Sequence, residues 1–105
     1  MIKPNPSTNM PHYFLKLNPC RPTFAQDMTD TERAIMQQHV AYWGNLMSKG
    51  KVVVYGPVMD PTGVYGIGVV DADDETELKE MIKNDPATEI NNYEYYPMRA
   101  VIPAK

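Results

Sequence analysis

Apolar and polar positions alternate in "HYFLKLN", residues 12–18: Tyr13, Leu15 and Leu17 fall on one side of an extended chain and Phe14, Lys16 and Asn18 on the other. That period of two predicts a strand. A proline-rich loop, "PCRPTFAQDM", follows. In "TDTE" the pattern changes, because Thr29 can accept from the amide of Glu32 while Glu32 reaches back, the form of a capping box. A helix is therefore expected from about Asp30 to Lys49, ended by a left-handed Gly50. "KVVVYGP" is an unbroken apolar run, which predicts a strand buried on both faces. After the loop "MDPTG", "VYGIGVVD" reads as a third strand, antiparallel to the second because the connection is short. Asp74 with Glu77 opens a second helix carrying the stripe Leu78, Met81 and Ile82, and Asp85-Pro86 closes it, since a residue before proline leaves helical space. "YEYYPMRAVI" is the last strand, and Pro97 requires that it be an edge or carry a bulge.

The order β-α-β-β-α-β, with right-handed crossovers, puts both helices on one face of a single antiparallel sheet. This is an α+β, ferredoxin-like arrangement. The strands nevertheless carry apolar groups on both faces: Phe14 lies opposite Leu15, and Val53 and Tyr55 lie opposite Val52 and Val54. An open sheet face this apolar is adhesive on a monomer. A second copy packed sheet to sheet covers it, so a homodimer is expected.

At about 100° per residue, Met36, Val40, Trp43 and Met47 form one stripe of the long helix, with Ile35, His39, Tyr42 and Leu46 beside it. His39 then lies roughly 70° from the centre of the first stripe, at the edge of the buried face. A histidine there is either a satisfied structural group or a base facing a cleft, and its ordinary pKa near 6.5 suits proton transfer. A base needs an orienting carboxylate. Asp60, in the loop between the second and third strands, and Asp85, just after the second helix, are both candidates, and spacing does not choose between them.

Composition narrows the function classes. At 105 residues the chain makes one domain, expected over 11–105 behind a flexible tail at 1–10. A formal charge of -3 with scattered Lys and Arg argues against nucleic acid. No apolar stretch approaches the roughly 20 residues of a membrane span. One cysteine, Cys20, cannot form an intramolecular disulfide, and the start lacks an apolar leader, so a cytoplasmic protein is expected. With His12 and His39 the only histidines and no Cys–His spacing, no metal is expected.

Among the remaining candidates, Arg21 stands between Pro19 and Pro22 in a stiffened loop, where it either holds an anionic group of a substrate or is solvated. Phe24 is either a lid or the anchor of its own loop. Tyr42, one turn from His39, either touches the same ligand or packs against the second helix. Trp43 reads as core. The glycines of "GVYGIG" are not followed by a helix start, so they are no dinucleotide loop, and they are expected to permit close packing at the dimer interface.

"QHVAYW", then "GKVVVYGPVMDPTG", then "DP" after the second helix, resembles the YCII-related family, in order and spacing, over about residues 11–102. The resemblance implies a ferredoxin-like fold that dimerises as an α+β barrel. It also implies a His–Asp site in which His39 and Asp85 match the family's histidine and Asp-Pro aspartate, and Gly56-Pro57 its Gly-Pro. The few relatives linked to catalysis act on small ring compounds without a cofactor. The chain departs from the family at "DPA", where a bulky aromatic often follows the proline, so Ala87 is expected either to enlarge the pocket or to mark it as unused. Two readings follow. One is a cofactor-independent enzyme with His39 as base, Asp85 as its orienting partner, and Arg21, Tyr42 and Asp60 as binding residues for a small cyclic substrate. The alternative is a non-catalytic small-ligand-binding or interaction module of the same fold.

Overall fold

The computed structural model describes residues 12–103; the expected tail at 1–10 lies outside the described residues. Strands β1 (His12–Asn18), β2 (Val52–Val58), β3 (Tyr65–Asp71) and β4 (Asn92–Met98) form one sheet in the order β2-β3-β1-β4. Every neighbouring pair is antiparallel. Between them lie α1 (Phe24–Asp27), α2 (Asp30–Ser48), α3 (Glu75–Lys83) and a 3-10 turn at Pro86–Glu89. This is the ferredoxin-like α+β fold that the alternation predicts, with the single turn of α1 added inside the proline-rich loop.

Local chemistry sets the helix ends. At the start of α2 the Glu32 amide donates to Thr29 Oγ1 at 3.1 Å and the Thr29 amide to Glu32 Oε1 at 2.9 Å, satisfying two of the N–H groups that a helix leaves unpaired. After α2, Gly50 adopts a φ of 80°, where a side chain is penalised. Asp74 caps α3 by accepting from the Glu77 amide at 2.9 Å.

The core fills the space between the sheet and helices α2 and α3, with Leu15, Trp43, Val52, Val70, Leu78 and Met81 at its centre. Register puts Phe14, Val54, Ile67, Val69 and Tyr96 on the opposite face. Val54 and Tyr96 there are 47% and 55% exposed. Among the described residues no helix is long and apolar enough to cross a membrane.

Three expectations are corrected. β2 is an edge strand, and an irregularity between Val52 and Val54 turns both Val53 and Val54 outward, so this run is not buried on both faces. In α2, Val40 and Met47 are exposed while Ile35, His39, Tyr42 and Leu46 are half-buried. The helix is thus rotated so that the His39 edge faces inward, because the His39 ring and the Trp43 indole, one turn apart, share an acceptor beneath them. Finally, Gly66 and Gly68 pair with Leu17 and Leu15 and so face the helices, not the open sheet. A Cβ on Gly66 would stand 3.4 Å from Leu17 Cβ.

Candidate functional site

The shared acceptor is Asp85. Because it precedes Pro86 it is held extended, at φ -77° and ψ 122°. Its carboxylate turns back to cap the 3-10 turn, accepting from the Ala87 amide at 2.9 Å. The same turn packs beneath α2, which leaves Asp85 only 1% exposed. A carboxylate taken out of water this completely must be compensated.

Compensation comes from four donors. His39 Nδ1 lies 2.8 Å from Oδ2 and 3.0 Å from Oδ1. Trp43 Nε1 donates to Oδ2 at 2.8 Å and the Tyr93 hydroxyl donates to the same oxygen at 2.5 Å. The Ala87 amide completes the set. Burial alone would push the Asp85 carboxyl up, but hydrogen bonds from His39, Tyr93, Ala87 and Trp43 outweigh it and hold the group below the ordinary carboxylate range. Tyr93 moves the other way: burial, then the charge of Asp85, push its phenol far above the ordinary range, so it stays a donor. Its oxygen also accepts from Trp43 Nε1 at 3.1 Å.

An ionised carboxylate only accepts, so the proton of a neutral His39 ring sits on Nδ1 and the lone pair on Nε2. The His39 side chain is 14% exposed, and it forms part of the wall of a cavity of about 260 Å³ between α2 and the helix-facing side of the sheet. Gly66 and Gly68 line the cavity where side chains would otherwise fill it, with Phe24, Met36 and Tyr55 among the surrounding walls. The chemistry available is proton acceptance by a nitrogen whose other side is anchored to a buried negative charge.

The remaining expected residues are placed differently. Asp60 is not the partner of His39; its carboxylate accepts from the Thr62 amide at 2.9 Å and the Thr62 hydroxyl at 2.8 Å, shaping its own loop. The Tyr42 hydroxyl donates to the Met81 carbonyl at 2.6 Å, so it packs against α3 and contributes nothing to the cavity wall. Arg21 grips Glu32 at 2.8 and 2.9 Å and Asp27 at 2.8 Å. That pairing, followed by a bond from the Thr29 amide, holds the Glu32 carboxyl at about 2. Ala87 is fully buried under α2 and does not line the cavity, so it does not enlarge it. Phe24 is buried and lines the cavity, while Cys20 is exposed. Among the described residues no cluster of His, Cys, Asp or Glu could hold a metal ion.

Two residues of this cluster were not legible as site residues. Trp43 reads as core by periodicity, and Tyr93 as one of several strand tyrosines. The available signal was that a buried indole N–H needs an acceptor.

No curated protein sequence matches this chain. Among solved structures it is similar to 5-chloro-2-hydroxyhydroquinone dehydrochlorinase from Burkholderia phenoliruptrix AC1100, solved in complex with 2,5-dihydroxybenzoquinone, at 22% identity and a TM-score of 0.55, over 78% of this chain and 90% of that one. That likeness shows a common fold. A conserved protein from Methanosarcina mazei Go1 matches at 13% identity and a TM-score of 0.49, over 86% of this chain and 94% of that one. The model of the YCII-related domain matches residues 13–102. With nearly the whole described chain covered, the protein belongs to the YCII-related family.

Proposed function

We propose that the protein is a cofactor-independent enzyme that moves a proton on a small cyclic substrate, with His39 as general base. The observation that carries this reading is the pairing of His39 Nδ1 with a buried, fully hydrogen-bonded Asp85 while the ring borders a cavity. Nε2 takes a proton from an acidic O–H or C–H of the ring compound, and Asp85 stabilises the imidazolium that results. The electron pair left on the substrate then expels a leaving group, giving elimination, or is reprotonated from Nε2 at another atom, giving isomerisation. The structural neighbour named as a dehydrochlorinase of a chlorinated hydroxyhydroquinone makes phenolic rings the first substrates to try.

The test is turnover of chlorinated and hydroxylated phenols against pH. His39→Gln is expected to lower kcat by roughly 10²–10⁴, the usual worth of a positioned base, with ligand affinity retained. If the protein is instead a non-catalytic binding module, the substitution lowers affinity and no ring compound is turned over at any pH.

The active unit is proposed to be a homodimer through the open sheet face, where Phe14, Val54, Val69 and Tyr96 form an apolar surface. Light scattering after gel filtration tests this: wild type runs as a dimer, and Val54→Asp with Val69→Asp shifts it to monomer. A wild type that runs as a monomer refutes it.

A further inference from the structure

We infer that the cavity takes an uncharged ring compound and rejects carboxylates, with Arg21 serving as a clasp that holds Phe24 in the wall and not as an anchor for an anion. This rests on the reading of the cavity as the ligand site and specifies the ligand's charge and size.

Among the described residues, the cavity wall contains no Lys, Arg, Asp or Glu. Its polar groups are mostly committed. Asn91 Oδ1 accepts from the Cys20 amide at 3.0 Å and its Nδ2 contacts Met36 Sδ at 3.6 Å. The Tyr93 hydroxyl is held by Asp85 and Trp43. His39 offers Nε2, a lone pair that welcomes an acidic hydrogen and repels an anion. Behind the ring stands the buried negative charge of Asp85, which disfavours a second negative charge nearby.

Arg21 is the cation whose place in the loop suggests anion binding, and the structure spends it elsewhere. Its Nε meets Asp27 Oδ1 at 2.8 Å, its Nη2 the Asp27 carbonyl at 2.9 Å, and its two Nη atoms both oxygens of Glu32. Its guanidinium also lies 5.3 Å from the Phe24 ring centroid, and Thr23 Oγ1 closes the loop on Asp27 at 2.7 Å. These bonds tie α1 to the first turn of α2 and keep Phe24, 5% exposed, in the cavity wall. Freeing the guanidinium for a ligand would strand two carboxylates and release that wall.

Size gives the second limit. A cavity of about 150 Å³ with apolar walls accepts benzene. The space here, about 260 Å³, suits one substituted ring or two fused rings.

The experiment is calorimetric titration of wild-type protein at pH 7 with the three cresols and the three hydroxybenzoates, each pair differing by methyl against carboxylate at one ring position. Every hydroxybenzoate is expected to bind at least roughly tenfold more weakly than its cresol, because an unpaired buried carboxylate is costly. A hydroxybenzoate within tenfold of its cresol, or no binding of any cresol, overturns the inference. Arg21→Gln is expected to weaken the cresols through loss of the wall; a hydroxybenzoate that binds wild type and is lost selectively in Arg21→Gln would assign Arg21 the anion. Cresol binding with no turnover of any ring compound leaves the charge selection standing and removes only the catalytic reading.

Discussion

Replacing Asp85 by asparagine keeps the side chain's shape and halves its capacity to accept. In the wild type the His39 ring N–H, the Trp43 indole N–H, the Tyr93 hydroxyl and the Ala87 amide all point at the carboxylate. An asparagine keeps one oxygen and presents an NH₂ group on the other side. If that oxygen stays on Ala87, the NH₂ faces three donors. Relief is available for two: the Tyr93 hydroxyl can rotate, and His39 can move its proton to Nε2 and accept at Nδ1. Trp43 keeps only its 3.1 Å contact with Tyr93. One poorly satisfied buried donor costs about 1–3 kcal/mol, and weakening charge-assisted bonds to neutral ones adds roughly 1 kcal/mol. With roughly 4–8 °C per kcal/mol in a domain of this size, a fall in Tm of about 8–30 °C is expected. The catalytic effect has a separate cause, because a proton on Nε2 leaves no lone pair toward the cavity. A loss in kcat of roughly 10³–10⁴ follows, the scale on which removing an orienting aspartate traps the wrong tautomer, while KM changes little. Thermal melting and steady-state turnover of a phenolic substrate measure the two effects independently. A variant that melts within about 2 °C of wild type would mean that the carboxylate does not carry this donor set, whatever its activity.

Three further outcomes are expected. Tyr93→Phe removes one donor from Asp85 at a cost of about 1 kcal/mol. The depressed Asp85 carboxyl contributes stability that is present above the ordinary carboxylate value near 4 and lost as pH falls through the lower folded value. Raising that folded value should move the acid-unfolding midpoint of the variant to higher pH, which circular dichroism against pH would show. Thr29→Ala removes the hydroxyl that accepts from the Glu32 amide and should cost about 1 kcal/mol, roughly 4–8 °C in Tm, without altering ligand affinity. In Gly68→Ala the new methyl would stand 3.6 Å from Tyr55 Cβ, ordinary contact, so the Tm should hold or rise slightly while ring-compound binding measured by calorimetry weakens.

The fold was legible because its signals are local. Leu15 and Leu17 alternate with Lys16, Thr29 and Asp74 carry cap chemistry, and each feature depends on residues a few positions apart. The pairing of His39 with Asp85 was legible only as one of two options, since sequence spacing does not say which loop reaches the helix. What stayed hidden depends on contacts across the fold. The outward turn of Val53 and Val54 follows from the irregularity between Val52 and Val54, which the edge position of β2 tolerates. The inward rotation of His39 at the expense of Val40 follows from where one buried acceptor sits. Gly66 and Gly68 look alike for a dimer interface or a cavity until register assigns them a face. Arg21 looked free because Asp27 and Glu32 meet it only once α1 forms.

The protonation of His39 tests the central claim most directly. Long-range ¹H–¹⁵N correlation spectra of protein labelled at histidine, with His12→Gln used to assign the two rings, report which nitrogen carries the hydrogen at neutral pH. A proton on Nδ1, with an unprotonated Nε2 whose shift moves when a phenol is added, is the expected result. A neutral ring protonated on Nε2, or an Nε2 signal indifferent to every ring compound, would contradict a base held by Asp85 and aimed into the cavity.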